Sequence, residues 1–215
     1  MSVNFFMIVL AAISCIPYYW KYEKRRPRTR ESVVVAVMIA LIVVSRTIFA
    51  LTPGWKPVSA MIIIFGMAFG RESGFLCGSL GAFVSNFFFG QGPWTPFQMI
   101  AWGSIGWISG WLNQKKLLEQ HRLCLMLYGV FAGILFSAVM DVWTVLAAGD
   151  GFFWKRYMLV LGTSIPVTLE YCISNMVFLW VLTPVFIKKL NRVKYKYGFF
   201  KEEKYNTISI KRRNL

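Results

Sequence analysis

Seven stretches of this chain run almost without charge for longer than a water-soluble fold tolerates: 3–20, 33–52, 57–70, 74–90, 97–113, 123–149 and 157–187. A helix needs about 20 apolar residues to cross the ~30 Å hydrocarbon core of a bilayer. Blocks of this length read as spanning helices, so the expected fold is all-α, a polytopic membrane helical bundle. Apolar residues make up 57% of the chain and the mean hydropathy is +0.54, values outside the ordinary soluble range. Block 57–70 is short and block 157–187 is long with Pro166 inside it. Six crossings therefore stand as the alternative to seven.

The formal net charge of +15 would point to nucleic acid in a soluble protein. Here its placement argues for topology. Lys21, Lys24, Arg25, Arg26, Arg28 and Arg30 form one cluster, Arg71 sits in a tight turn, and Lys115, Lys116 and Arg122 share a loop. The tail from Lys188 onward holds ten more. With seven crossings, 20 of the 24 Lys and Arg residues fall on one side, against Lys56, Lys155 and Arg156 on the other and Arg46 within a span. The positive-inside bias then puts the C-terminus in the cytoplasm and the loop around Gln91 outside. No positive residue precedes the first apolar run, so it is expected to stay as an anchor with its N-terminus outside. Residues 1–32 read as an anchor and basic linker, 33–187 as one compact bundle, and 188–215 as a basic tail drawn to the anionic inner leaflet.

Gly66, Gly70, Gly74 and Gly78 recur every fourth residue, as do Gly106 with Gly110 and Gly129 with Gly133. Small residues at that spacing let helix backbones approach closely in lipid, where packing replaces the hydrophobic drive. Ala36 and Ala40 form a similar pair, readable as internal packing or as a smooth stripe for a second membrane subunit. Cys15, Cys77, Cys124 and Cys172 lie one to a segment, and His121 is the single histidine. Neither a disulfide framework, a zinc site nor any other metal or cofactor motif is indicated. The chain has no GxxxxGK[ST] phosphate loop, no HExxH and no GxSxG, so it cannot itself hydrolyse ATP and carries no recognisable catalytic constellation.

The richest stretch is Gly90-Gln91-Gly92-Pro93-Trp94-Thr95-Pro96-Phe97-Gln98. Glycines and prolines stiffen the connection, and Gln91, Trp94, Thr95 and Gln98 add amides, a hydroxyl and an indole that a bare turn does not need. Trp55 and Lys56, in the other Pro/Gly-flanked outward loop, join it as a candidate cap. Arg46, Asp141 and Glu170 are the ionisable groups within predicted spans, and an isolated charge there costs at least about 2.5–3.5 kcal/mol. They are expected to face the interior, either as an Arg-carboxylate pair or in contact with a ligand. Asn86, one turn before Gly90, and Asn175, five residues after Glu170, complete the candidate set.

These residues resemble those of the substrate-capture (S) subunit of energy-coupling factor transporters, prokaryotic importers of vitamins and micronutrients. The resemblance covers roughly 33–187 and rests on Ala36-Val37-Met38-Ile39-Ala40, on Lys56-Pro57 opening a helix, and on Gly90 to Gln98 followed by Ala101-Trp102-Gly103. It implies a six-helix core, here with one extra N-terminal transmembrane helix, and a ligand cavity near the outer face. It further implies a transmembrane coupling subunit contacted by Ala36 and Ala40, two cytoplasmic ATPases, and no enzymatic activity of the chain itself. The branch carrying this loop points first to cobalamin or another corrinoid, with a thiamine precursor, a queuosine-like compound or another aromatic solute as further fits. The readings from other classes are a membrane-integral enzyme using Asp141 and Glu170, and a scaffold whose helices and tail recruit other proteins.

Overall fold

The computed structural model describes residues 2–27, 29–149 and 151–197. The helices are α1 (Ser2–Lys24), α2 (Thr29–Ile48), α3 (Val58–Phe69), α4 (Arg71–Phe89), α5 (Thr95–Leu112), α6 (Leu117–Gln120), α7 (Arg122–Ala147), α8 (Trp154–Thr163) and α9 (Ile165–Tyr197). Three of them, α2, α7 and residues Ile165–Lys196 of α9, are long and apolar enough by themselves to cross a membrane.

At the centre lies α3, every residue of which is buried except Ser59. Twelve residues give a helix of about 18 Å at 1.5 Å per residue, well short of a hydrocarbon core. Its neighbours shield it, so the shortfall costs no lipid-exposed backbone. Its C-terminus ends at Gly70, whose φ of 88° lets the chain turn at once into α4. The glycine series does what its spacing predicts. A side chain at Gly106 would strike the Gly74 carbonyl, one at Gly78 the Trp102 carbonyl, and one at Gly66 the Gly106 carbonyl, so α3, α4 and α5 touch backbone to backbone.

The last apolar block is not one helix. Pro166 has no N–H, and its ring conflicts with the carbonyl four residues back in a continuous helix; the break falls just before it, between Thr163 and Ile165. At ten residues α8 is too short to cross, and Trp154, Met158 and Leu159 on its outer face are exposed. Arg156 on its inner side donates to the Gly149 carbonyl (3.1 Å), and Tyr157 Oη to the Ala138 carbonyl (3.1 Å). Beyond the break α9 runs antiparallel to α7, with Ser164 bonded to Asp141 (2.6 Å), Thr168 to Ser137 (2.6 Å) and Asn175 to the Gly129 carbonyl (3.1 Å).

Helix α1 packs on α4 and α5. Tyr18 stacks on Phe75 with ring centroids 4.0 Å apart, and Tyr19 donates to Ser79 (3.1 Å). Below them Arg25 pairs with the buried Glu31, which also accepts from Ser73 (2.9 Å). Arg28, Asp150 and the tail beyond Tyr197 lie outside the described residues.

Candidate functional site

Above the N-terminus of the short α3 the surrounding helices enclose a cavity of about 110 Å³. Arg46 from α2, Lys56 from the connecting loop, Ser59 from α3, Gln98 and Trp102 from α5, and Tyr171 and Asn175 from α9 line it, with Phe136 and Gly133 from α7. The loop is tied down by the Lys56 backbone N–H, which donates to Ser174 Oγ on α9 (3.2 Å).

A polar knot holds one wall. Arg46 donates to Ser85 Oγ (2.5 Å) and to Asn86 Oδ1 (2.8 Å). The Asn86 amide in turn donates to Thr95 Oγ1 (2.9 Å) and Gln98 Oε1 (2.8 Å), so this one buried asparagine joins α2, α4 and α5. The Arg46 guanidinium also lies 4.6 Å from the Phe89 ring and 5.4 Å from that of Trp102, a cation–π arrangement. The opposite wall is aromatic: Trp102 stacks on Phe136 (5.2 Å), which meets Tyr171 edge-on (5.4 Å). Trp102 is 5% exposed, yet its indole N–H has no partner in the protein. Burial, and secondarily the nearby Arg46 charge, lower the pKa of Lys56 from the ordinary lysine value.

Four of the residues singled out in the sequence therefore line the cavity: Arg46, Lys56, Gln98 and Asn175. Asn86 and Thr95 stand directly behind them. Gln91 is exposed and braces the loop instead, donating to the Phe83 carbonyl (2.8 Å) and accepting from Thr95 (2.9 Å). Trp94 leans on Trp143 with centroids 6.3 Å apart, and Trp55 lies exposed in its loop; neither lines the cavity. The Arg-carboxylate pair does not form. Asp141 is engaged by Ser164 at the α8–α9 junction, and Glu170 is exposed at the rim against Gly54. Ala36 and Ala40 are exposed on the outer face of α2.

Sequence reasoning passed over Trp102, Phe136 and Tyr171. The signal was helical register: Gln98 and Trp102 are four apart, as are Tyr171 and Asn175, so each pair shares a helix face. Glu170 drew attention by its charge, but it is rotated about 100° from Tyr171, and its carboxylate stands at the rim against Gly54.

Long apolar helices around a small, polar-lined hollow define a multi-pass membrane protein that binds a small molecule. A family model described as the ECF-type riboflavin transporter, S component, matches residues 27–192, and the chain belongs to that family. It is thus a substrate-binding subunit of an energy-coupling factor transporter and not an enzyme. Members of this class work with a membrane coupling subunit and ATPases. Neither the curated proteins nor the solved structures contain a significant match.

Proposed function

We propose that this chain captures a flat, acceptor-rich vitamin of the flavin type at the outer face and delivers it inward with a transmembrane coupling subunit and two cytoplasmic ATPases. The observation that carries this reading is the pairing of an aromatic wall, Trp102, Phe136 and Tyr171, with the polar side chains Arg46, Lys56, Gln98 and Asn175 that line the same cavity. Few polar groups placed against apolar walls are how small-molecule sites fix orientation. The riboflavin named in the family description is of this chemical kind. A corrinoid suits the site less well. Ligand pockets typically measure ~300–1,000 Å³, and the cavity of about 110 Å³ can grow for a three-ring solute by lifting the 49–57 and 90–94 loops. A corrin ring would require the helices themselves to part.

In this reading residues 33–187 form the binding bundle, 1–32 an added membrane anchor with its basic linker, and 188–215 a cytoplasmic basic tail, and the Ala36/Ala40 stripe meets the coupling subunit. Quenching of flavin fluorescence on titration with the purified chain, without ATP, is the direct test. Saturable riboflavin binding that cobalamin does not displace supports it, whereas cobalamin binding with no flavin binding replaces the ligand class.

A further inference from the structure

The cavity holds more positive character than a neutral ring uses. Arg46 and Lys56 both line it, and among the described residues no carboxylate does; Glu170 stands outside, at the rim. The N-terminus of α3 opens on the same space through Val58 and Ser59, with no acidic residue in its first turn and no side-chain cap. The first N–H groups of a helix have no partner within it and carry the positive end of the macrodipole, which favours an anion there. Independently of the helix end, Trp102, whose buried indole N–H has no partner in the protein, is one of the residues lining the same cavity. A buried donor left unmet calls for an acceptor from a water, an ion or a ligand group. Arg46 spends one nitrogen on Ser85 and Asn86, and its five-donor fork has capacity left. The preformed space of about 110 Å³ lies well below the ~300–1,000 Å³ typical of small-molecule pockets, room for a compact anionic group and not for a whole flavin.

We propose that Arg46, Lys56 and the N-terminus of α3 form a subsite for an anionic group carried by the ligand, a phosphate monoester, so that the chain prefers the phosphorylated form of its flat ring compound. The ring then lies against the aromatic wall under the loops. The preference rests on the flavin reading, but the anion subsite can be tested without it.

The experiment compares riboflavin with riboflavin 5′-phosphate on the full chain in nanodiscs, and in parallel compares sodium phosphate with sodium chloride at equal ionic strength by thermal unfolding. The expected result is about tenfold tighter binding of the phosphate ester, a ratio near one in Lys56→Gln, and a ratio restored in Lys56→Arg. Inorganic phosphate is expected to raise the unfolding midpoint of the native chain and not that of Lys56→Gln. Riboflavin binding equal to or tighter than that of its ester overturns the subsite and leaves the flavin reading standing. A preference for the ester that survives Lys56→Gln unchanged also overturns it. If neither flavin binds while phosphate stabilises only the native chain, the subsite stands and the flavin reading falls; with no phosphate effect either, both fall.

Discussion

Asn86 accepts from Arg46 and donates to both Thr95 and Gln98, so it fixes the polar wall of the cavity with one side chain. Replacing it by Leu leaves the guanidinium short of an acceptor and Gln98 short of a donor, and each buried polar group left unmet costs about 1–3 kcal/mol. Asn86→Leu is therefore expected to lower the unfolding midpoint and weaken ligand binding together. Trp102→Phe removes the unpartnered N–H and vacates part of a buried ring, so affinity is expected to fall about threefold to tenfold with a smaller drop in the unfolding midpoint than in Asn86→Leu, as ligand titration and thermal unfolding would show. Lys56 supplies a pH dependence. Its pKa is lowered by burial and by Arg46, so its charge is lost at lower pH than that of an exposed lysine as pH rises. Above pH ~7.5, where a phosphate monoester is already mostly dianionic, affinity for the phosphorylated ligand is expected to decline with pH in the native chain and to stay flat in Lys56→Arg. Arg46 was legible in the sequence because a charge inside a span must have a purpose. Trp102 and Tyr171 were not, since an aromatic residue in a membrane helix is ordinary and only its register shows which way it faces.

At the level of elements, the glycine spacing carried the packing of α3, α4 and α5 in plain view, because close approach in lipid needs small residues and little else. Gly106→Ala would press a methyl group onto the Gly74 carbonyl, an overpacking that typically costs about 1–3 kcal/mol, so a lower yield of monodisperse protein and a lower unfolding midpoint are expected. Gly162→Ala, on α8 with nothing within 4 Å of the added carbon, is the matched control and should leave both unchanged. The division of the last block into α8 and α9 was half legible. Pro166 announced a disturbance, but a proline at that place can kink a helix or end one. What decides is that Ser164, at the junction of the two helices, donates its hydroxyl to Asp141 on α7 and anchors the corner. The same contact removes Asp141 from the cavity, which no reading of charge alone could anticipate. Loop 90–98 was legible as stiff and polar. Its amides turn out to brace the loop and the buried knot behind it, because Gln91 donates to the Phe83 carbonyl and accepts from Thr95.

For the molecule as a whole, the arrangement of charge and the arrangement of the cavity make a joint statement about direction. Basic residues gather at the end where Arg25, Arg71 and Lys194 lie, around a polar cleft lined also by Asn113 and Glu119, and the closed cavity sits at the opposite end of α3. If positive residues mark the cytoplasmic side, the cavity is external. Gln91→Cys, on an exposed loop residue, is then expected to react with an impermeant thiol reagent in intact cells, and Lys115→Cys only after permeabilisation. The native thiols at Cys15, Cys77 and Cys172 are buried, and the partly exposed Cys124 is replaced by Ser in both variants to remove its background. A bundle that closes over its ligand without an energy source must pass its work through a contact with another subunit. In the proposed reading the outward face of α2 makes that contact: Ala36 and Ala40 are exposed among Val33, Val37 and Val44, a smooth stripe beside the ridge of larger side chains. Small residues matter there only if another helix lies against them, since lipid tails accommodate Leu as readily as Ala. Introducing Leu at both positions is therefore expected to leave ligand affinity and thermal stability of the isolated chain unchanged. In cells that also make the coupling subunit and ATPases, the same double variant should lose most transport and fail to co-purify with the coupling subunit. Full transport by the variant would place the contact elsewhere on the bundle.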